Sequence, residues 1–315
     1  MERANIGLGR AITGLVVLVG LASVLGLLDR LSWVFELADV FRLQYLVVLV
    51  AAGVAALALR RVRLAALAAA FAALNVAVLG IPTVAPATAA SGTPRGSLRL
   101  VVANVEVGNT NFAAVERLVA RTRPDVFGVT ELTPAMARHL DRGLAQYRVR
   151  VLSTRGDAYG IGVYSRVPLV SARVVHLPAD GPPTVVVRVR VAAEPVTLVV
   201  THVHTPFAGS IHVRQLQALD TARRSLGAQA VVCGDFNSPS WTGPLRAFAA
   251  GGGFRDLYGG AAWAAYSWPT WSPALRVPLD DCFLSSGVTV RSYRDGPGTG
   301  SDHRPLVVDL AVLER

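Results

Sequence analysis

The stretch Ala230-Val231-Val232-Cys233-Gly234-Asp235-Phe236-Asn237 decides the reading of this chain. An apolar, β-prone run ends in a glycine and an acid. If the strand continues, Asp235 and Asn237 share a face, because strand side chains alternate. Working outward, four further stretches pair a short apolar run with a polar residue at or beside its end. They are Val101-Val102-Ala103-Asn104, Val126-Phe127-Gly128-Val129-Thr130-Glu131, Leu198-Val199-Val200-Thr201-His202, and Ser301-Asp302-His303-Arg304-Pro305 before the run Leu306–Leu310. Singly, each polar residue reads as a turn or cap residue. Together they supply carboxylates, amides and histidines at strand ends, the donor types of metal-assisted phosphate chemistry.

Short β-rich runs alternate with helical ones from Leu98 onward. The pattern predicts strands at Leu98–Val105, Val126–Thr130, Arg148–Leu152, Ile161–Ser165, Leu169–His176, Thr184–Val191, Val196–His202, Ala230–Gly234, Cys282–Ser285 and Leu306–Leu310. It predicts helices at Phe112–Arg121, Pro134–Leu144, Ile211–Leu226 and Leu245–Ala250. So many strands with few helices imply a layered α/β domain with two sheets packed face to face.

The first 81 residues differ in kind. Three uncharged apolar runs, Ala11–Leu28, Leu43–Leu59 and Leu64–Ile81, read as a three-helix membrane anchor over residues 1–81. A small-residue linker at 82–97 leads to a domain at 98–315. A signal peptide fits the first run less well, because no small-residue cleavage site follows Leu28. Arg3 and Arg10 precede the first run, and Arg60, Arg61 and Arg63 fill the turn between the second and third. The loop between the first two runs balances Arg30 and Arg42 with Asp29, Glu36 and Asp39. This asymmetry places the N-terminus in the cytoplasm and the large domain outside, in a multi-pass protein of the cell membrane.

The 315 residues are 52% hydrophobic and 17% charged, which excludes a disordered chain, a coiled coil and a disulfide scaffold. The net charge of +10 comes entirely from arginine and is spread along the chain. It argues only weakly for nucleic acid, which needs basic residues gathered on one face.

Taken in order, the five motifs resemble the endonuclease/exonuclease/phosphatase family of metal-dependent phosphoesterases, across about Leu98 to Leu310. The resemblance implies a four-layer α/β sandwich, two packed mixed β-sheets flanked by helices. It implies Glu131 as main ligand of a Mg²⁺ or Mn²⁺ ion, with Asn104 and Asp302 in its shell. It further implies that Asp235 orients or deprotonates water and that Asn237 holds a phosphoryl oxygen. His303, fixed by Asp280, would contact phosphate or act as base, and His202 would stabilise the transition state or serve the leaving group. His204 competes with His202, Asp281 with Asp280, and Glu106 could join the site. Tyr159 has a role at the phosphate or in packing.

His139, His176 and His212 match no family position and read as surface residues. Cys233 and Cys282 read as buried free thiols ahead of a disulfide, since spacing gives no geometry. Trp241, Trp263, Trp268 and Trp271 read as core or loop packing by default, or as an aromatic rim at a membrane interface. The membrane layout is similar to actinobacterial membrane proteins linked to teicoplanin resistance, which implies a prenyl pyrophosphate as one substrate.

The resulting expectation is a membrane-anchored phosphoesterase acting on a phosphate ester or anhydride, with a lipid-linked phosphate or pyrophosphate preferred. A DNA or RNA nuclease of the same family is the alternative, and a non-catalytic membrane sensor or scaffold is the alternative from another class. The implied partners are the lipid bilayer and a phosphate-containing substrate, with nucleic acid as the alternative and no protein partner inferred.

Overall fold

The computed structural model describes residues 2–80, 92–251, 253–259 and 261–314. The apolar N-terminal third folds as α1 (Glu2–Leu25), a 3-10 turn at Gly26–Leu28, α2 (Trp33–Val40), α3 (Arg42–Ala58) and α4 (Val62–Gly80). Val16, Leu49, Ala56 and Ala68 meet in the seam of the bundle, where small side chains let the helices approach closely. Among the described residues, two helices are long and apolar enough to cross a membrane, Ile6–Leu28 and Val62–Gly80. The pair α2 and α3, bent by 59°, makes a third only when counted as one span. The third run's final residue, Ile81, and the linker as far as residue 91 lie outside the described residues.

The segment between the first two runs, read from sequence as a charged loop, is instead helix α2 docked on the large domain. Its acids are buried. Arg42 is not an exposed topology marker. It is fully buried, ion-paired with Asp39, and its Nη1 donates to Ser23 O and Asn75 Oδ1 at 3.2 Å each. A guanidinium there ties α1, α3 and α4 together because no water competes for its donors.

The large domain begins earlier than the linker reading implied. Strand β1 spans Pro94–Asn104, followed by α5 (Phe112–Thr122), β2 (Val126–Thr130) and α6 (Pro134–Gly143). Then come β3 (Val149–Ser153), β4 (Ile161–Ser165), β5 (Leu169–His176), β6 (Pro183–Val191) and β7 (Glu194–His202). Helix α7 (Ser210–Arg223), β8 (Ala230–Asp235) and α8 (Gly243–Ala250) follow. The chain closes with β9 (Arg255–Asp256), β10 (Asp280–Leu284), β11 (Val288–Asp295) and β12 (Leu306–Leu313). Strands β9 and β11 were not expected.

Two six-stranded mixed sheets result, ordered β11-β12-β1-β2-β4-β3 and β5-β6-β7-β8-β10-β9. Each has one parallel pair at its centre, β1 with β2 and β7 with β8. Alternation along these strands creates the layers. Leu100, Val102, Val185, Val187, Leu198, Val200 and Val231 point between the sheets and form the main core. Their neighbours point the other way. Val101, Ala103, Phe127 and Val129 pack under α5 and α6, and Val199 and Val232 pack under α7 and α8. The expected four-layer sandwich is what the chain builds. Gly128 shows how closely the sheets approach, since a Cβ there would lie 2.8 Å from Val200 Cγ2.

Candidate active site

Both central parallel pairs end at one edge of the sandwich. Asn104 closes β1 opposite Thr130, with Glu131 directly after it. His202 closes β7 opposite Asp235, the last residue of β8, and Asp235 also faces Asp280 at the start of β10. Asn104 Nδ2 donates to Glu131 Oε1 and to Asp235 Oδ2, 2.9 Å each, so one amide joins the two sheets.

Matching turns follow β1 and β8. Asn104 Oδ1 accepts the N–H of Glu106 at 2.9 Å, and Asp235 Oδ1 accepts that of Asn237 at 2.8 Å. Glu106, Asn237 and Glu131 all have left-handed backbone, with φ of 62°, 53° and 59°. Such angles in non-glycine residues persist only where the surroundings enforce them, often at functional sites. Asp235 and Asn237 therefore do not share a strand face as expected. The strand stops at Asp235, and the turn brings Asn237 back to the edge. Gly234 in the same motif is obligatory, because its φ is 153° and a Cβ would lie 1.8 Å from Thr201 O.

Between His202 and His204, it is His202 that reaches the edge. Its Nδ1 donates to Ala158 O at 2.8 Å, which leaves Nε2 as the acceptor of the Asn237 Nδ2 bond at 3.1 Å. Asn237 Nδ2 also donates to Val203 O at 2.7 Å. His202 Nε2 lies 3.5 Å from Asp235 Oδ2. His204 is held by Gln215, whose Oε1 lies 2.8 Å from Nδ1 and whose Nε2 donates to His202 O. Tyr159 packs on both histidines, with ring centroids 5.5 Å from His202 and 4.5 Å from His204. Burial, then the charges of Asp157, Glu131 and Asp235, push its hydroxyl pKa up, so it stays a neutral donor at this edge.

His303 stands between carboxylates. Its Nδ1 is 2.7 Å from Asp280 Oδ2, and its Nε2 is 3.6 Å from Asp235 Oδ2 and 4.0 Å from Asp302 Oδ1. Burial disfavours the imidazolium, but the charges of Asp280 and Asp235 outweigh it, and the pKa is pushed up to about 10. Burial also raises Asp280, opposite to the usual effect of an ion pair on a carboxylate. With a carboxylate on either side of the ring, we place the pair's proton on His303. Asp281 points to the other face of β10, where its Oδ1 accepts the N–H of Cys282.

Asp302 is braced by Trp268, which the motifs did not reveal, and by Glu106, which joins the site. Trp268 Nε1 donates to its Oδ2 at 2.8 Å, and its N–H donates to Glu106 Oε2 at 3.1 Å. Ser267 Oγ accepts the N–H groups of Leu279 and Asp280 at 3.0 and 2.9 Å. Trp268 had been read as loop packing or a membrane rim. No local signal distinguishes it from Trp263 or Trp271, which are exposed.

Two sequence readings are corrected here. His212 is fully buried, not a surface residue, with Nδ1 on His204 O at 2.6 Å and Nε2 on Glu36 Oε1 at 3.0 Å. Cys233 and Cys282 are disulfide-bonded, not free, because they stand opposite each other in the β8–β10 register. His139 and His176 are near the surface, beside Glu116 Oε2 and Gly181 O.

The donors suit a hard divalent cation. Asp235, Asp280 and His303 bring one ligand atom each within 4.8 Å of one another and could hold an ion. His303 and Asp280 already satisfy each other, however, while Glu131 is oriented by the N–H groups of Asn104 and Val107 and has no cation paired to it among the described residues. Carboxylate and amide oxygens with room for retained water are the ligands Mg²⁺ favours.

The Endonuclease/Exonuclease/phosphatase family matches residues 101–303. A search of curated proteins finds no match. Among solved structures, D. rerio TDP2 complexed with single strand DNA product is 20% identical with a TM-score of 0.56, over 68% of this chain and 98% of that one. An endonuclease/exonuclease/phosphatase family protein from Bacteroides thetaiotaomicron is 17% identical with a TM-score of 0.57, over 70% and 99%. A functionally unknown conserved protein from Enterococcus faecalis V583 is 16% identical with a TM-score of 0.56, over 68% and 100%. At such identities the likeness to these structures is one of fold. By its match over residues 101–303, the chain belongs to the endonuclease/exonuclease/phosphatase family.

Proposed function

We propose that this chain is a membrane-anchored, divalent-metal-dependent phosphoesterase, hydrolysing a phosphate ester or anhydride, with a lipid-linked phosphate or pyrophosphate as substrate. The observation that carries the reading is the meeting of Asn104, Glu131, His202, Asp235, Asp280 and His303 at one strand edge. Held by Glu131, with Asn104 and Asp302 beside it, a Mg²⁺ or Mn²⁺ ion would neutralise charge on the phosphoryl oxygens.

Asp235 lies between the two catalytic histidines and takes the proton of the attacking water at Oδ2. His303, kept cationic by Asp280 and Asp235, donates its Nε2–H to a phosphoryl oxygen. Asp280 holds the ring from behind and stabilises its charge. His202, locked through Nδ1, turns Nε2 to the site 3.5 Å from Asp235 Oδ2, so the proton that Asp235 takes from water passes through Nε2 to the leaving oxygen. Asn237 orients His202 and reaches a phosphoryl oxygen once substrate displaces one of its two present bonds.

The location is supported by separate features. Exposed apolar side chains lie beside the helical segment, where Trp33 meets Phe207 with ring centroids 5.9 Å apart and Trp263 lines a groove with Val47 of α3, as expected for a surface resting on a bilayer. The Cys233–Cys282 disulfide suits an oxidising compartment. With Arg60, Arg61 and Arg63 on the cytoplasmic side, it favours an outward-facing domain.

A nuclease is the second reading, favoured by the single strand DNA product in the TDP2 neighbour. The test is Mg²⁺-dependent turnover by the full chain in nanodiscs, across DNA, RNA, sphingomyelin, inositol phosphates and prenyl pyrophosphate. Asp235→Ala and His303→Ala are the controls. Preference for a lipid-linked phosphate supports the first reading, and preference for DNA or RNA supports the second. Wild type indistinguishable from both variants on every substrate would leave a non-catalytic scaffold. A reporter fused after Arg315 that appears in the cytoplasm would reverse the orientation.

A further inference from the structure

A groove of about 500 Å³ lies between α3 and the segment 263–276, away from the catalytic side chains themselves. Leu43, Val47 and Val48 form one wall, and Trp263, Tyr266 and Arg276 are part of the other. Its lining is largely apolar, and its one charged side chain is Arg276. That guanidinium lies 3.8 Å over the Tyr266 ring, and Arg304 lies 5.3 Å from the same ring. Asp295 couples to both arginines, so the three groups keep a net positive charge.

Both ends of the groove constrain its occupant. At one end it opens on the face of α3 where Val47 is 61% and Val54 63% exposed, with no charge between Leu43 and Leu59. In a membrane that face lies against hydrocarbon, so a polar macromolecule would have to reach the groove through lipid. At the other end, the wall continues directly into the catalytic edge. Tyr266 leads to Ser267, which anchors the Asp280 N–H, and to Trp268, which holds Asp302. Arg304 follows His303, and its N–H donates to Ser267 O at 2.8 Å. The groove is also fixed to the anchor, since Gln44 Nε2 donates to Arg276 O at 2.9 Å.

We propose that this groove holds the hydrocarbon chain of a phosphate-bearing membrane lipid, with its headgroup drawn past Arg276 toward the catalytic edge. The proposal rests on the phosphoesterase reading and names its substrate class. The lipid would enter sideways from the bilayer, and its chain would never cross water. Arg276, with its Cζ 3.8 Å over the Tyr266 ring, can present its guanidinium donors to phosphate oxygens.

The test uses the full chain in phosphatidylcholine nanodiscs with phosphatidic acid carrying a diazirine at its chain end. Photolabelling should mark the 261–276 segment in the wild type. Ala264 is exposed beside the groove, and Ala264→Trp should reduce that labelling at least tenfold. Hydrolysis of bis(4-nitrophenyl) phosphate, which has no chain to seat, should be unchanged in Ala264→Trp, whereas phosphatidic acid turnover should fall with the labelling. Val48→Trp fills the same space from the opposite wall and should reduce the labelling likewise. A diacylglycerol bearing the same diazirine should label the segment several-fold less, and equal labelling would contradict the role of Arg276. Wild type unlabelled in 261–276, or labelling untouched by both tryptophan substitutions, overturns the groove. If the labelling pattern appears but the wild type hydrolyses neither phosphate compound, the groove stands and the phosphoesterase reading falls.

Discussion

Glu36 Oε1 accepts from His212 Nε2 at 3.0 Å and from Ser238 Oγ at 2.7 Å, across 176 and 202 residues of sequence. These bonds link helix α2 to the start of α7 and to the residue after Asn237. Further ties surround it. Trp241 Nε1 donates to Asp39 O at 3.0 Å, Asp29 accepts the Gly243 N–H, and Val40 packs on Val277 and Leu279. Helix α2 and the turn before it thus pack as one wall of the large domain.

Removing Glu36 strands two buried donors. Glu36→Ala should destabilise the full chain by about 2–4 kcal/mol, and Glu36→Gln by less, because the amide oxygen still accepts. Thermal melting in detergent with a double-mutant cycle against His212→Ala is the check. Coupling of about 1 kcal/mol or more is expected for partners in direct contact. Strict additivity would mean the pair contributes nothing jointly.

The Cys233–Cys282 bond closes a loop with a sequence separation of 49, between strands already paired in register. Chain-entropy arguments put its contribution at up to about 4 kcal/mol. Cys233→Ala/Cys282→Ala should therefore melt well below the wild type, and reducing agent should lower the wild type alone. A wild type equally stable with and without reductant would contradict the estimate.

Trp268→Phe removes the donor that fixes Asp302 Oδ2 but keeps an aromatic ring in place. Outer bonds of this kind are typically worth about 10–100-fold in metal affinity. The Mg²⁺ concentration for half-maximal rate should rise by about tenfold, with the rate at saturating Mg²⁺ little changed. A fall in saturating rate with no change in Mg²⁺ requirement would separate Trp268 from the metal.

Arg99 grips Asp309 with two bonds of 2.7 and 3.1 Å between β1 and β12, and this holds the Asp309 pKa below its ordinary value. A depressed carboxylate stabilises the fold above its unfolded pKa of about 3.9, and the gain is lost as pH falls through the lower folded value. The pair is partly exposed, so the gain is about 1 kcal/mol or less after screening. Asp309→Asn should melt below the wild type at pH 7, and the gap should narrow as pH falls below about 3.9. A gap that persists undiminished at pH 3 would exclude the charge as its source.

The central strands and strand-end polar residues were legible because each strand is an apolar run long enough to signal itself. Strand β11 was not, since Arg291, Ser292, Arg294 and Asp295 sit at the sheet's outer edge and disguise the alternation. Helix α2 was hidden for a different reason. Asp29, Glu36 and Asp39 look solvated in sequence, yet the first two find partners in or near α7 and α8, and Asp39 pairs with the buried Arg42. The disulfide depends on strand register, and the Trp268 brace depends on where a loop folds back. Both are tertiary facts with no local mark.

The central claim is that Asp235 and His303 carry out phosphoester hydrolysis with a bound divalent ion. Its most direct test is the initial rate of bis(4-nitrophenyl) phosphate hydrolysis by the full chain in nanodiscs, titrated with Mg²⁺. The account predicts a rate that saturates with Mg²⁺ and vanishes in chelator, with Asp235→Asn and His303→Gln each lowering it at least about 100-fold while melting within a few degrees of the wild type. A rate independent of Mg²⁺, or unchanged in both folded variants, would contradict it.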